Sequence, residues 1–134
     1  MEFIKYNNNP KNKKTGDCVI RAIATATNSS WEYVYSKLSE LGIEQGLMIN
    51  DSNNWQKYLE NLGYIKQKMP RRTDRTRYTL EEFATELAEE NKIYLVKLAG
   101  HLTVIKNKKL IDTWNCSYKS VGNYWVAGGT KNDN

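Results

Sequence analysis

The apolar pattern of this chain changes period once, near Lys92, and no other feature constrains its fold as tightly. Before that point apolar residues recur at helical spacing. Val19, Ile20, Ile23, Ala24 and Ala26 form one such set, Trp31, Val34, Tyr35, Leu38 and Leu41 a second, and Trp55, Tyr58, Leu59 and Leu62 a third. After it the pattern is extended. Ile93, Leu95, Val96 and Leu98 read as a well-buried strand, which Gly100 breaks. His101 to Ile105 is a second strand, Asn107-Lys108 a tight turn, Lys109 to Thr113 a third strand, and Val121 to Val126 a last one. Helices first and an antiparallel sheet second is the α+β arrangement.

Caps and turns mark the remaining boundaries. Glu2 to Tyr6 is a short edge strand, with Phe3, or Phe3 and Ile4, facing the core. Asn7 to Gly16 is polar and turn-rich, a loop leading to a helix that opens at Cys18 and ends near Asn28. Ser29 and Glu32 make a capping box for a helix over residues 30–41, stopped by Gly42. A third helix covers residues 52–62, and Tyr64 to Met69 alternates like a short strand. Arg71, Arg72, Arg75 and Arg77 lie in an exposed, mobile basic loop, and Thr79 with Glu82 caps a helix running to about Glu90.

A chain of 134 residues is expected to form one domain, residues 1–127, with a small polar flexible tail at 128–134. No apolar run is long enough to cross a membrane, and the first residues lack a signal-peptide pattern. A cytoplasmic location and no membrane partner are the expectation, with Cys18 and Cys116 both reduced. Abundant Asn and Lys, whose codons are A/T-rich, suit a bacterial or phage source. The net charge of +5 says little unless clustered. Two clusters exist, Lys11/Lys13/Lys14 and Arg71/Arg72/Arg75/Arg77.

The chemistry centres on Gly16-Asp17-Cys18-Val19-Ile20-Arg21-Ala22-Ile23. The first N–H groups of a helix have no partner inside it, and the dipole there is positive. Both favour thiolate over thiol, so a cysteine in that first turn is an activated nucleophile candidate. Elsewhere, free cysteine is more often a small buried hydrophobe. His101, the sole histidine, begins a strand, and Asp112 ends the next. With the turn at Asn107-Lys108, facing residues sum to about 215, which makes Asp112 a near-diagonal neighbour of His101. A carboxylate there fixes the tautomer of the ring and stabilises imidazolium; Asn115 is the alternative orienter. An imidazolium beside the cysteine would give the thiolate–imidazolium pair of cysteine hydrolases. One histidine and two distant cysteines give no metal-ligand spacing, so neither metal nor cofactor is expected.

This order resembles the papain-like cysteine peptidase superfamily, in which the nucleophile caps a central helix and His and Asp or Asn follow on a sheet. Gly-Asp-Cys-Val-Ile-Arg-Ala-Ile is also similar to the Cys signature of the OTU deubiquitinases. Gly-His-Leu-Thr-Val-Ile with Ile-Asp-Thr-Trp resembles the His and Asp strands of the C39 bacteriocin-processing peptidases. The resemblance implies a papain-like fold, Cys18 as nucleophile, His101 as base and Asp112 as orienter. OTU members carry an aromatic after the His where Leu102 stands here. Papain has a Gln upstream of the Cys; here the candidates are Asn7, Asn8, Asn9 and Asn12, and Asn12, six residues before Cys18, is taken as the oxyanion candidate.

The expected function is therefore a cysteine hydrolase, peptidase or amidase, acting on a protein or peptide. The alternative is a catalytically silent papain-like scaffold that binds or inhibits a host protein. Nucleic-acid binding is disfavoured, because no recognition motif accompanies the basic clusters.

Overall fold

A computed structural model describes residues 1–128. It is an α+β structure of three layers, with a six-stranded sheet in the middle. The strands are β1 (Phe3–Lys5), β2 (Tyr64–Gln67), β3 (Ile93–Leu98), β4 (His101–Lys106), β5 (Lys109–Asp112) and β6 (Tyr124–Ala127). They lie in the order β1-β5-β4-β3-β6-β2. The sheet is mixed and not purely antiparallel, because β1 runs parallel to β5. Both edges come from the N-terminal half of the chain, β1 on one side and β2 on the other. Nothing in the local pattern of Phe3-Ile4-Lys5 or Tyr64-Ile65-Lys66-Gln67 specifies which distant strand they join.

The hairpin register is the one read from its turn. Val104 faces Ile111, Ile105 faces Leu110 and Lys106 faces Lys109. Asn107 and Lys108 both take positive φ, 53° and 63°, the conformation of a tight hairpin turn whose twist matches the flanking strands. Gly100 takes φ 68° between β3 and β4, where an L side chain would be strained.

Helices α1 (Cys18–Thr27), α2 (Trp31–Gln45) and α3 (Ser52–Asn61) cover one face. Val19, Ile20, Ile23 and the small Ala22, Ala24 and Ala26 of α1 pack with Leu102, Val104, Leu95 and Trp125 of the sheet. The short side chains let α1 lie close to β4, which fixes the start of the helix against the start of that strand. Trp55 of α3 meets Trp125 edge-on at 5.1 Å. The other face is filled by Leu80, Phe83, Ala84 and Val121 against Tyr94, Val96, Leu98, Ile105 and Leu110. Apolar residues at successive positions of β3 thus face two cores, which explains the continuous apolar run from Ile93 to Val96.

Several boundaries differ from the sequence expectation. Ser30 and not Ser29 caps α2, its side chain accepting from the Tyr33 N–H at 3.0 Å. Gly42 does not stop α2; it is buried inside it, where a Cβ would meet the Leu47 carbonyl oxygen at 2.8 Å. The left-handed cap is Gly46. The Thr79/Glu82 capping box forms. Its helix, α4 (Leu80–Glu82), widens at once into a π-helical segment, Phe83–Leu87, and stops short of Glu90. That widening goes with Phe83 packing edge-on against Tyr94 and Tyr124. β6 starts at Tyr124, and the Val121 side chain belongs to the loop before it.

The arginine segment is exposed but anchored. Arg72 pairs with Glu82 at 3.1 Å and Glu86 at 3.0 Å and lies over the Tyr78 ring. Arg77 donates to the Val121 carbonyl at 3.0 Å. Of the expected tail, Gly128 is held by its N–H to the Gly63 carbonyl at 2.9 Å, and 129–134 lie outside the described residues. No helix among the described residues is long and apolar enough to cross a membrane.

Candidate active site

Asp17 is the N-cap residue of α1, yet its side chain caps no helix N–H. Its buried carboxylate turns aside to take Arg21 Nε at 2.8 Å, Trp31 Nε1 at 2.9 Å and Asn9 Nδ2 at 3.1 Å. These donors, with the Arg21 charge, hold Asp17 below the usual carboxylate range although burial opposes it. The first N–H groups of α1 are thereby left uncapped by any side chain, and Cys18 is half-buried among them.

The opposite wall is β4 and β5. Alternation along β4 puts His101 and Thr103 on one side of the strand, and the register of the hairpin, carried one step further, sets Asp112 across from Thr103. His101 Nε2 lies 2.7 Å from Asp112 Oδ2, and the Thr103 hydroxyl donates to the same oxygen at 2.6 Å. The other oxygen, Oδ1, accepts the Thr113 N–H at 2.6 Å and Arg21 Nη1 at 3.2 Å. Both oxygens of a carboxylate that is 6 % exposed are thus fully engaged.

Burial alone would lower the pKa of the His101 ring. The Asp112 carboxylate, with the thiols of Cys116 and Cys18, instead pushes it up to about 11. Asp112 is held down, against burial, by His101 and Thr103. Burial also opposes ionisation of Cys18, but the His101 ring and the Leu102 N–H favour its thiolate, and the charges of His101 and Arg21 add to them. The net effect is a thiol pKa below its ordinary value. With Nε2 committed to Asp112, Nδ1 is the ring nitrogen left for Cys18. The site therefore favours a thiolate paired with an imidazolium, a charge state suited to attack on an electrophilic carbon followed by proton donation.

His101 touches Asp112, and Cys18 lines a small cavity together with Thr103 and Asp112. Asn115 does not join them: it is exposed, and its Oδ1 accepts the Ser117 N–H at 3.1 Å. Asn12 sits in the loop before α1 with φ 52°, its Oδ1 accepting from Asn7 at 3.2 Å. No hydrogen bond joins it to Cys18 or His101 among the described residues.

Four more residues complete the site. Thr103 was legible as the register partner of Asp112. Arg21 lies one turn beyond Cys18, but its long-range partner was not readable. The Trp114 ring lies 5.1 Å from that of His101 and is partly exposed. Cys116 is buried, its Sγ 3.8 Å from Asp112 Oδ2. The ligand atoms of His101, Asp112 and Cys116 lie within 4.8 Å of one another, a grouping that sequence spacing did not suggest. A metal there would have to displace the proton that His101 and Asp112 share and the Thr103 hydroxyl from the same oxygen.

No protein-family model, curated protein or solved structure matches the chain.

Proposed function

We propose that this protein is a thiol hydrolase of acyl bonds, a peptidase or amidase built on a papain-like plan. The observation that carries the reading is the contact of His101 Nε2 with Asp112 Oδ2 at 2.7 Å, which leaves Nδ1 as the nitrogen we assign to Cys18 at the start of α1. In this reaction Cys18 Sγ attacks the carbonyl carbon of the scissile bond. The resulting oxyanion is met by the Cys18 N–H, and Asn12 Nδ2, whose amide oxygen is the end tied to Asn7, is the proposed second donor. His101 gives its Nδ1 proton to the leaving amine, and the C–N bond breaks to leave a thioester on Cys18. Neutral His101 then takes a proton from water, whose oxygen attacks the thioester; the acid departs and the thiolate–imidazolium pair is restored. Asp112 stays ionised throughout and fixes the ring.

The test uses p-nitrophenyl acetate. One expects a burst of nitrophenolate near one equivalent of chain and an acetyl group on the Cys18 peptide by mass spectrometry. Nitrophenolate release undiminished in Cys18→Ala, or acetylation confined to Cys116, would refute the assignment.

The second reading is a silent scaffold that binds a partner, a host protein among the candidates. It is favoured by one observation: a cleft of about 830 Å³ has Asp17 and Arg21 in its wall but not Cys18.

A further inference from the structure

We propose that this cleft holds an acidic stretch of the polypeptide substrate, an inference that rests on the thiol-hydrolase reading above. Lys5 of β1 and Lys13 and Lys14 of the loop before α1 line it, with Tyr6, Asn12 and Trp114. All three lysines are exposed, and none forms an ion pair among the described residues. The one carboxylate in the wall, Asp17, is already neutralised by Arg21. Three unpaired ammonium groups around a concave surface focus a positive potential on it.

The lysines sit on an ordered frame. Asn7 Oδ1 accepts the Asn9 N–H at 3.0 Å, and Asn9 Oδ1 accepts the Lys11 N–H at 2.9 Å. Asn7 Nδ2 reaches Asn12 Oδ1 at 3.2 Å and the Lys13 carbonyl at 3.4 Å. A loop braced in this way loses less entropy on binding than a free one. The cleft also leads to the chemistry. Thr113 and Trp114 also line it, and the Trp114 ring lies 5.1 Å from that of His101. A chain bound by its acidic residues there would run past Trp114 toward Cys18. Basic grooves with aromatic rings also take single-stranded nucleic acid. The adjoining site, however, is built for an acyl carbon, which a polypeptide has at every residue and a polynucleotide backbone lacks.

The experiment measures binding without turnover. Full-length Cys18→Ala is titrated against a short fluorescein-labelled Glu/Ala peptide and its Gln/Ala counterpart, with fluorescence anisotropy as the readout. The acidic peptide should bind about tenfold more tightly, and the difference should shrink in high salt. Lys13→Glu with Lys14→Glu should weaken its binding about tenfold. Lys37→Glu with Lys57→Glu changes the net charge equally on α2 and α3 and should leave binding unchanged. Equal binding of the two peptides, or an equal loss in the control pair, would overturn the proposal. So would displacement of the peptide by oligothymidylate at lower concentration than by unlabelled peptide, which would assign the cleft to nucleic acid. Because the variant lacks the thiol, failure here is distinct from failure of the acyl-transfer reading, which the ester burst of the parent protein tests separately.

Discussion

Arg21 Nη1 lies 3.2 Å from Asp112 Oδ1, so the helix that carries Cys18 is tied to the carboxylate that holds His101. The same guanidinium grips Asp17 through Nε at 2.8 Å. One side chain, 13 % exposed, thus balances two buried acids and sets the α1 terminus against the end of β5.

Removing it should be costly. Arg21→Ala leaves Asp17 and Asp112 without their shared counter-charge, and losing one partner of a buried ionic group costs about 3–5 kcal/mol. Arg21→Lys should recover part of this, since a single ammonium does not reproduce the two-pronged geometry. Urea unfolding monitored by circular dichroism measures both. An Arg21→Ala variant with an unchanged midpoint would show that the network is incidental.

Asp112 should carry both stability and reactivity. Its folded pKa is lowered, so its contribution is present above the unfolded value of about 3.9 and fades as pH falls through the folded one. Asp112→Asn should flatten the acid limb in a plot of unfolding free energy against pH, leaving the share that Asp17 contributes. It should also shift the titration of Cys18 to higher pH, with Asp112→Ala shifting it further because nothing then fixes the ring. Asn115→Ala should leave the titration in place. A shift with Asn115→Ala and none with Asp112→Ala would reverse the assignment.

The arginine hairpin makes a contrast with a freely solvated loop. Arg72→Ala removes pairs to Glu82 and Glu86 and the Tyr78 stacking, and Arg77→Ala removes a bond to the Val121 carbonyl. Each should lower the melting temperature by a few degrees. Arg75→Ala, whose side chain makes no hydrogen bond or ion pair among the described residues, should not. Three identical melting curves would return the segment to a solvated loop.

What was legible in the sequence was what local patterning controls. The β4–β5 register followed from Asn107-Lys108, and with it came the His101–Asp112 neighbourhood. The N-terminal placement of Cys18 on α1 followed from the apolar stripe behind it. Long-range pairings were not legible. β1 joins β5 in parallel because Phe3 finds the second core, a tertiary outcome with no local sign. Arg21 meets Asp112 only once α1 has docked on β4 through its alanines. Gly42 looked like a helix stop, but it serves the close approach of the Leu47 carbonyl. Cys116 has no neighbouring motif and becomes visible beside His101 only in the folded chain.

The central claim is that Cys18 is ionised by His101, and the rate of alkylation by iodoacetamide against pH tests it most directly. Mass spectrometry separates Cys18 from buried Cys116. The parent protein should alkylate at Cys18 with a midpoint well below the ordinary thiol value of about 8.5, because His101 stays protonated up to about 11 and stabilises the thiolate. In His101→Ala the midpoint should rise to the ordinary range or above it, since burial then acts unopposed by the ring. A parent profile like that of a free thiol, or one unmoved by His101→Ala, would contradict the account.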